Sequence, residues 1–184
     1  MKRLTAFVAA ALTVAATLFS GCHSVDDDRI PPLPVYLAFT TVGMWDTYGV
    51  AGATSHRRFI LTDRLRVPEN FPFTALSQTG YGGILLVSDI LGDPQAYDLA
   101  CPVEVRQDVR IRVDSEKNVA ECPECGSTYD IFSNYGTPLS GPAAEKGYGL
   151  KRYHVGRGSG ADYMVVTYWK IRQVRPFWSV WLVR

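Results

Sequence analysis

Cys-Pro-Glu-Cys-Gly-Ser-Thr-Tyr-Asp, at residues 122–130, is the stretch of this 184-residue chain that most restricts its fold. It contains a Cys-x-x-Cys pair. A shorter segment, Cys-Pro-Val-Glu at residues 101–104, repeats the Cys-Pro dipeptide upstream. Three of the four cysteines therefore fall in two short segments. Proline and glycine beside these cysteines are typical of turns rather than of regular elements, so both segments are interpreted as loops.

The sequence around these loops favours short strands, because β-branched and aromatic residues recur in runs of four to ten. The predicted strands are residues 35–42, 56–65, 84–87, 95–99 and 109–113. Glycine-containing segments separate them, namely a predicted loop at 43–55 and a sharp turn at 80–83. No segment sustains a 3.6-residue apolar period over three turns, so the pattern predicts an all-β sandwich or barrel-like domain.

Two further segments complete a recognisable order. They are Gly-Thr-Pro-Leu-Ser-Gly-Pro-Ala at residues 136–143 and Leu-Lys-Arg-Tyr-His-Val at residues 150–155. Taken with the two Cys-Pro loops, they resemble the Rieske iron–sulfur domain over about residues 81–155. The resemblance implies an all-β fold: an antiparallel β-sandwich spanning 35–168, with a small subdomain of the cluster-binding type at about 98–143.

The site departs from the family at two of its four ligand positions. A Rieske [2Fe–2S] cluster takes two cysteines on one iron and two histidines on the other. The resemblance places Cys101 and Cys122 at the thiolate positions, Val103 at the first histidine position and Cys125 at the second. Valine has no lone pair to donate, and the three histidines of the chain lie outside both loops. The resemblance therefore implies a set of degenerate cluster positions.

Three interpretations of these cysteines remain open. In the first, no cofactor binds, and Cys101 and Cys122, which the resemblance brings close together, form a disulfide in an oxidising compartment. A Cys122–Cys125 bridge is the variant. In the second, the three thiolates bind zinc, with Glu104, Asp98 or water as the fourth ligand. In the third, a [2Fe–2S] cluster survives on the three cysteines and one oxygen ligand. The first interpretation is the one we favour from sequence alone.

The amino terminus is typical of an exported lipoprotein. A basic start precedes an apolar, alanine-rich run at residues 5–19, which ends in Ser-Gly-Cys. This resembles the lipobox of bacterial lipoproteins and implies a signal peptide at 1–21, cleaved before a lipid-bearing Cys22. Acidic and proline-rich residues 22–34 then predict a tether, either plain or acting as a surface-export signal. We expect a cell-envelope protein of the outer membrane, facing the periplasm or the exterior.

Charge and motif content exclude several functions. The formal net charge is +1, and it falls to −1 when the two positive charges of residues 1–21 are removed, which argues against nucleic-acid binding. No Ser/His/Asp set or assignable acid–base pair supports catalysis. The sequence therefore predicts a non-catalytic binding or structural lipoprotein. Its partners would be the membrane, through Cys22, and a protein of unknown identity. The alternative is electron transfer or thiol redox chemistry at Cys101, Cys122 and Cys125.

The carboxyl-terminal residues 169–184 form a separate feature. They contain three of the four tryptophans and four basic residues but no acidic one. Tryptophan and cations favour a membrane surface, so this tail is interpreted either as a membrane-apposed segment or as an added strand. Pro176 argues against a helix here, and the packed strand is the interpretation we prefer.

Overall fold

A computed structural model describes residues 24–157 and 164–167. The predicted signal peptide, Cys22 and the tail 169–184 lie outside the described residues. The strands are β1 (Val35–Ala38), β2 (His56–Leu61), β3 (Arg66–Val67), β4 (Gln78–Thr79), β5 (Ile84–Ser88), β6 (Pro94–Asp98), β7 (Arg112–Asp114), β8 (Val119–Glu121), β9 (Thr128–Asp130), β10 (Thr137–Ser140), β11 (Arg152–Arg157) and β12 (Met164–Thr167). The helices are α1 (Val42–Tyr48) and α2 (Gly141–Lys146).

The strands form two antiparallel sheets, so the fold is all-β as predicted. The larger sheet has eight strands in the order β3-β2-β5-β6-β11-β12-β1-β4. The smaller sheet has four, in the order β10-β9-β8-β7, and lies between residues 112 and 140. Every pairing between these strands is antiparallel. The loop before β7 and the loop between β8 and β9 carry the three described cysteines.

Strand β5 is buried on both faces and separates two apolar cores. Because side chains alternate along a strand, Leu85 and Val87 pack with the smaller sheet, while Ile84 and Leu86 face the opposite side. The second core is aromatic, with edge-to-face contacts among Phe39, Phe59, Phe71 and Phe73. Trp45 makes the same kind of contact with Phe39, and Tyr48 with Phe71. The first core contains the buried cysteines, so the candidate site is part of the interior of the domain.

The structure differs from the sequence prediction at residues 43–55, where we expected a loop. A two-turn helix, α1, begins after Thr41, whose side-chain oxygen accepts a hydrogen bond from the Met44 N–H at 3.1 Å. This is a helix N-cap, and it satisfies a backbone donor that the first turn leaves unpaired. Met44, Trp45 and Tyr48 then pack against the aromatic core. Tertiary packing thus stabilises a helix too short to be stable alone.

The structure also differs in the predicted tether. Residues 24–30 lie against the domain, because the Asp26 N–H donates to Gly147 O at 2.8 Å and Asp26 O accepts from the Gly149 N–H at 2.9 Å. Ile30 is buried, and Lys151 Nζ contacts both Ile30 O and the Asp28 carboxylate. The acidic run therefore forms ion pairs with the domain itself. No helix in residues 24–157 or 164–167 is long and apolar enough to cross a bilayer.

Candidate functional site

Two loops closed by backbone hydrogen bonds carry the candidate site. In the first, the Cys101 N–H donates to Val109 O at 3.1 Å, and the Val105 N–H donates to Cys101 O at 2.9 Å. In the second, the Cys122 N–H donates to Ser127 O at 2.9 Å. Each cysteine is thus fixed at the start of a tight turn. The proline that follows Cys101 and the one that follows Cys122 have no N–H, so they do not compete for these carbonyl acceptors.

The sulfur atoms of Cys101, Cys122 and Cys125, called the Cys triad below, all lie within 4.8 Å of one another. The Sγ atoms of Cys101 and Cys125 are 3.7 Å apart. Cys101 and Cys122 are fully buried and Cys125 is half-buried. All three cysteines are free thiols in this structure. The disulfide between Cys101 and Cys122 stays a prediction. Three sulfurs at these separations could hold a metal ion.

Two hydroxyl groups face the triad. Tyr129 Oη lies 3.6 Å from Cys101 Sγ, and Ser127 Oγ lies 3.2 Å from Cys125 Sγ. Ser127 Oγ also accepts a hydrogen bond from the Ala143 N–H of α2 at 3.0 Å. The hydroxyl beside Cys125 is therefore held in place by the helix whose first turn is the Gly-Pro-Ala segment. Groups of this kind orient metal ligands and adjust the charge on them.

The surroundings shift the thiol pKa values of Cys122 and Cys125, the two cysteines of the second loop, in opposite directions. Burial raises the pKa of the Cys122 thiol to about 12, although the backbone N–H groups of Cys125 and Glu124 oppose the rise. Burial also acts to raise the pKa of Cys125, but hydrogen bonds, first with Ser127 and then with the neighbouring thiols, outweigh it and leave the pKa below its ordinary value. Burial and the contact with Cys101 raise the pKa of Tyr129, so its hydroxyl remains a donor.

A buried carboxylate anchors the first loop. Asp98 Oδ1 accepts from the N–H groups of Ala100 at 2.7 Å and Gly82 at 2.9 Å, and Oδ2 accepts from the Tyr81 N–H at 3.0 Å. The Tyr153 hydroxyl donates a short hydrogen bond to Oδ2. Burial raises the pKa of Asp98, and these four bonds oppose that rise. The carboxylate thus joins the turn before β5 to the residue preceding Cys101.

The turn at residues 80–83 also holds the far side of the loop that contains Cys101. The Tyr81 hydroxyl donates to Val105 O at 2.9 Å, and Arg110 Nε donates to Gly82 O at 2.5 Å. A Cβ on Gly82 would overlap the backbone nitrogen of Ala100, so glycine is required for this close approach. The turn at residues 80–83 therefore positions the Cys101 loop, a role that the sequence did not reveal.

Other residues considered from sequence lie apart from the sulfurs. Val103 is half-buried and packs on the first core. In the part of the chain that the structure describes, the sulfur group includes no Asp, Glu or His. Asp98 is already engaged by its four donors, which removes it as a fourth metal ligand. Glu104, His56 and the exposed His154 are likewise outside the group. The donor set is three thiols without imidazole, and it does not fit a Rieske centre.

Comparisons with known proteins identify no relative. No family model matches this chain, and no curated protein is significantly similar to it. The functional argument therefore rests on the motif order in the sequence and on the geometry of the Cys triad.

Proposed function

We propose that this chain is a non-catalytic lipoprotein of the cell envelope, with a Rieske-like domain whose Cys triad binds one Zn²⁺ ion. The single observation that carries the metal site is the convergence of three sulfur atoms within 4.8 Å. The bound ion would cross-link the loop before β7 to the loop between β8 and β9. Its role would be structural, because zinc has no redox chemistry of its own.

The sulfur separations support a mononuclear site. Thiolates at about 2.3 Å from a tetrahedral zinc ion lie about 3.8 Å from one another. The Cys101–Cys125 separation of 3.7 Å matches this edge, and Cys122 completes a compact group. A [2Fe–2S] cluster needs ligands on both of its irons, on opposite sides of the cluster. Three sulfurs gathered around one point favour a single ion instead.

Charge and access also support zinc. Deprotonating three thiols in the interior would be unfavourable, but a divalent cation offsets most of that charge. The backbone N–H groups facing Cys122 and the Ser127 hydroxyl beside Cys125 offset part of the remainder. Cys125 is half-buried, so water can reach this side of the site and take the fourth position.

Native mass spectrometry of the mature chain, with zinc titration by calorimetry, tests this site. We expect one zinc ion per chain, and we expect Cys125→Ser to weaken binding by at least tenfold. Glu124→Gln is the matched control, because it alters the adjacent exposed side chain and leaves the triad intact. A chain that lacks two hydrogens and takes up no zinc would overturn the metal site in favour of a disulfide. Bound iron and sulfide would overturn it in favour of electron transfer.

The envelope location is tested separately. The Ser-Gly-Cys end of the apolar amino-terminal run supports lipid attachment at Cys22. The parent protein should fractionate with membranes and carry acyl mass on its amino-terminal peptide. Cys22→Ser should abolish both, since a single lipid-modified residue would be the anchor. An acyl-free parent protein would contradict the lipoprotein assignment without affecting the zinc result.

A further inference from the structure

The turn between β5 and β6 displays two aliphatic side chains to solvent. Leu91 is 83% exposed and Ile90 is 57% exposed. Asp89 Oδ1 accepts from the N–H groups of Leu91 and Asp93, both at 2.8 Å, and fixes the turn. The Ile90 N–H also donates to Phe132 O at 3.2 Å. The aliphatic pair is therefore presented by a rigid turn attached to the domain, rather than by a loose loop.

Tyr135 connects this pair to the amino-terminal segment. A cavity of about 100 Å³ is lined by Ile90, Leu91 and the ring of Tyr135. Tyr135 also lines a second cavity of about 200 Å³ together with Val25. All four side chains are exposed. We call these residues, Val25, Ile90, Leu91 and Tyr135, the Leu91 face. Adjacent exposed apolar residues of this kind mark an interaction surface.

The position of Val25 indicates what covers the Leu91 face. Val25 follows Cys22 by three peptide units, which together span at most about 11 Å. Backbone bonds between Asp26 and both Gly147 and Gly149 fix this end of the chain on the domain. A lipid on Cys22 would therefore enter the bilayer close to Val25. The Leu91 face would then be near the membrane by covalent geometry alone.

Two exposed cations lie near the Val25 end of the face. Arg29 lies 4.4 Å from the ring of Tyr148, beside Asp26, and Lys146 lies 6.0 Å from the same ring. Both cations are exposed and available to anionic headgroups. Of the acidic groups here, Asp27 pairs with Arg152, and the Asp89 carboxylate is engaged by its own turn. Asp28 pairs with Lys151. Asp93 is exposed within the turn itself, and Glu145 is exposed beside Lys146.

We infer that the Leu91 face lies on the membrane and that Leu91 and Ile90 enter the headgroup region, which fixes the orientation of the domain. The inference rests on the lipid attachment proposed above and is independent of the zinc site. Apolar side chains in the interface add to the affinity of a lipid anchor and restrict rotation about it. The occupant of the face is thus the bilayer rather than a second protein.

Tryptophan fluorescence of the lipid-bearing protein in vesicles tests this orientation. Leu91→Trp is compared with Leu76→Trp, each after subtraction of the parent signal. Leu76 is 70% exposed but lies shortly before β4 and the turn that leads into β5, at the opposite end of that strand. With bromine-bearing phospholipids, which quench on contact, we expect Leu91→Trp to lose most of its added fluorescence. Leu76→Trp should lose none.

Several results would overturn the inference. Neither tryptophan being quenched would place the Leu91 face away from the bilayer and leave it to a protein partner. Quenching of Leu76→Trp alone would assign the membrane to the opposite end of β5. Absence of acyl mass on Cys22 would remove the anchor on which the argument rests, while zinc stoichiometry would be unchanged. A circular-dichroism spectrum and an unfolding midpoint that match the parent in both variants confirm that the substitutions have not unfolded the domain.

Discussion

The Asp98 carboxylate and the Cys triad lie on either side of the same short loop, and both are withdrawn from solvent. Asp98 is fully buried, yet three backbone N–H groups and the Tyr153 hydroxyl meet its two oxygens. The sulfurs of the triad face mainly one another, with one hydroxyl each beside Cys101 and Cys125. The Asp98 oxygens are hydrogen-bonded by groups of the chain itself, whereas the Cys triad directs three sulfur ligand atoms at one shared point.

This difference in hydrogen bonding distinguishes a buried group that stabilises the fold from buried groups that can bind a ligand. A buried polar group that is fully hydrogen-bonded makes the fold more specific and has no capacity for a ligand. Sulfur is a weak hydrogen-bond acceptor, so a cluster of buried thiols gains little from its own contacts and much from a soft cation. Asp98 should therefore govern folding, while the triad should govern metal binding.

Removing the carboxylate should have the largest effect. Asp98→Ala leaves the buried N–H donors of Gly82 and Ala100 and the half-buried N–H of Tyr81 unpaired. Each costs about 1–3 kcal/mol, so the free energy of unfolding should fall by more than about 3 kcal/mol. Urea unfolding followed by circular dichroism measures this. Asp108→Ala is the control, because that carboxylate is exposed and pairs with the exposed Arg106, and its midpoint should match the parent. Equal midpoints for the two variants would show that Asp98 is not the folding centre.

Adding or removing zinc should have the next largest effect. Free zinc at a hundredfold excess over its dissociation constant should raise the free energy of unfolding by about 2.7 kcal/mol, because the ion binds only the folded triad. Thermal unfolding with zinc and with a chelator measures the change. Cys125→Ser should show a greatly reduced response. A zinc response retained in full by that variant would place the ion elsewhere.

Removing one hydroxyl beside the sulfurs should have a moderate effect. Tyr129→Phe deletes the group 3.6 Å from Cys101 Sγ and should weaken zinc binding about tenfold, with a stability loss of about 1 kcal/mol. Tyr97→Phe is the matched control, since its buried hydroxyl donates to Ile131 O instead. That variant should lose similar stability and no zinc affinity. Identical calorimetric isotherms for the two variants would contradict a supporting role for Tyr129.

The smallest effect should be a pH dependence. Burial raises the folded-state pKa of Asp98 above its unfolded value. The folded chain then binds a proton more readily than the unfolded chain, so this contribution is full below the unfolded pKa and is lost as pH rises through the folded value. To isolate the contribution of Asp98, the free energy of unfolding is measured from pH 4 upward for the parent and for Asp98→Asn. A parent curve parallel to that of the variant would contradict the direction.

Local patterns predicted the fold class and the residues of the site, but not the contacts between distant segments. The β-branched run at 84–87 identified β5, and the cysteine spacing identified all three sulfurs. Helix α1 was missed, although Thr41 as an N-cap and the apolar spacing of Met44, Trp45 and Tyr48 were visible signals. Strand periodicity does not report a two-turn helix that depends on tertiary packing.

The contacts of Asp98 and of residues 24–30 could not be found in this way. Asp98 is held mainly by backbone amides, which every sequence contains, so no residue pattern marks its partners. The acidic run at 26–28 reads as a solvated segment because its basic partners lie far along the chain. Ser127 and Tyr129, by contrast, come two and four residues after Cys125. This spacing was a usable signal that their hydroxyls lie near the sulfurs.

The docked amino-terminal segment also bears on the order of events during synthesis. Lys151 and Asp28 are 123 residues apart in sequence, so the partner of the first-made segment is among the last parts of the domain to appear. Contacts of such long range close late in folding. Residues 24–30 therefore cannot dock until the chain around Lys151 has been made. With the lipid attachment proposed above, Cys22 would be modified before this docking fixes where the anchor leaves the domain.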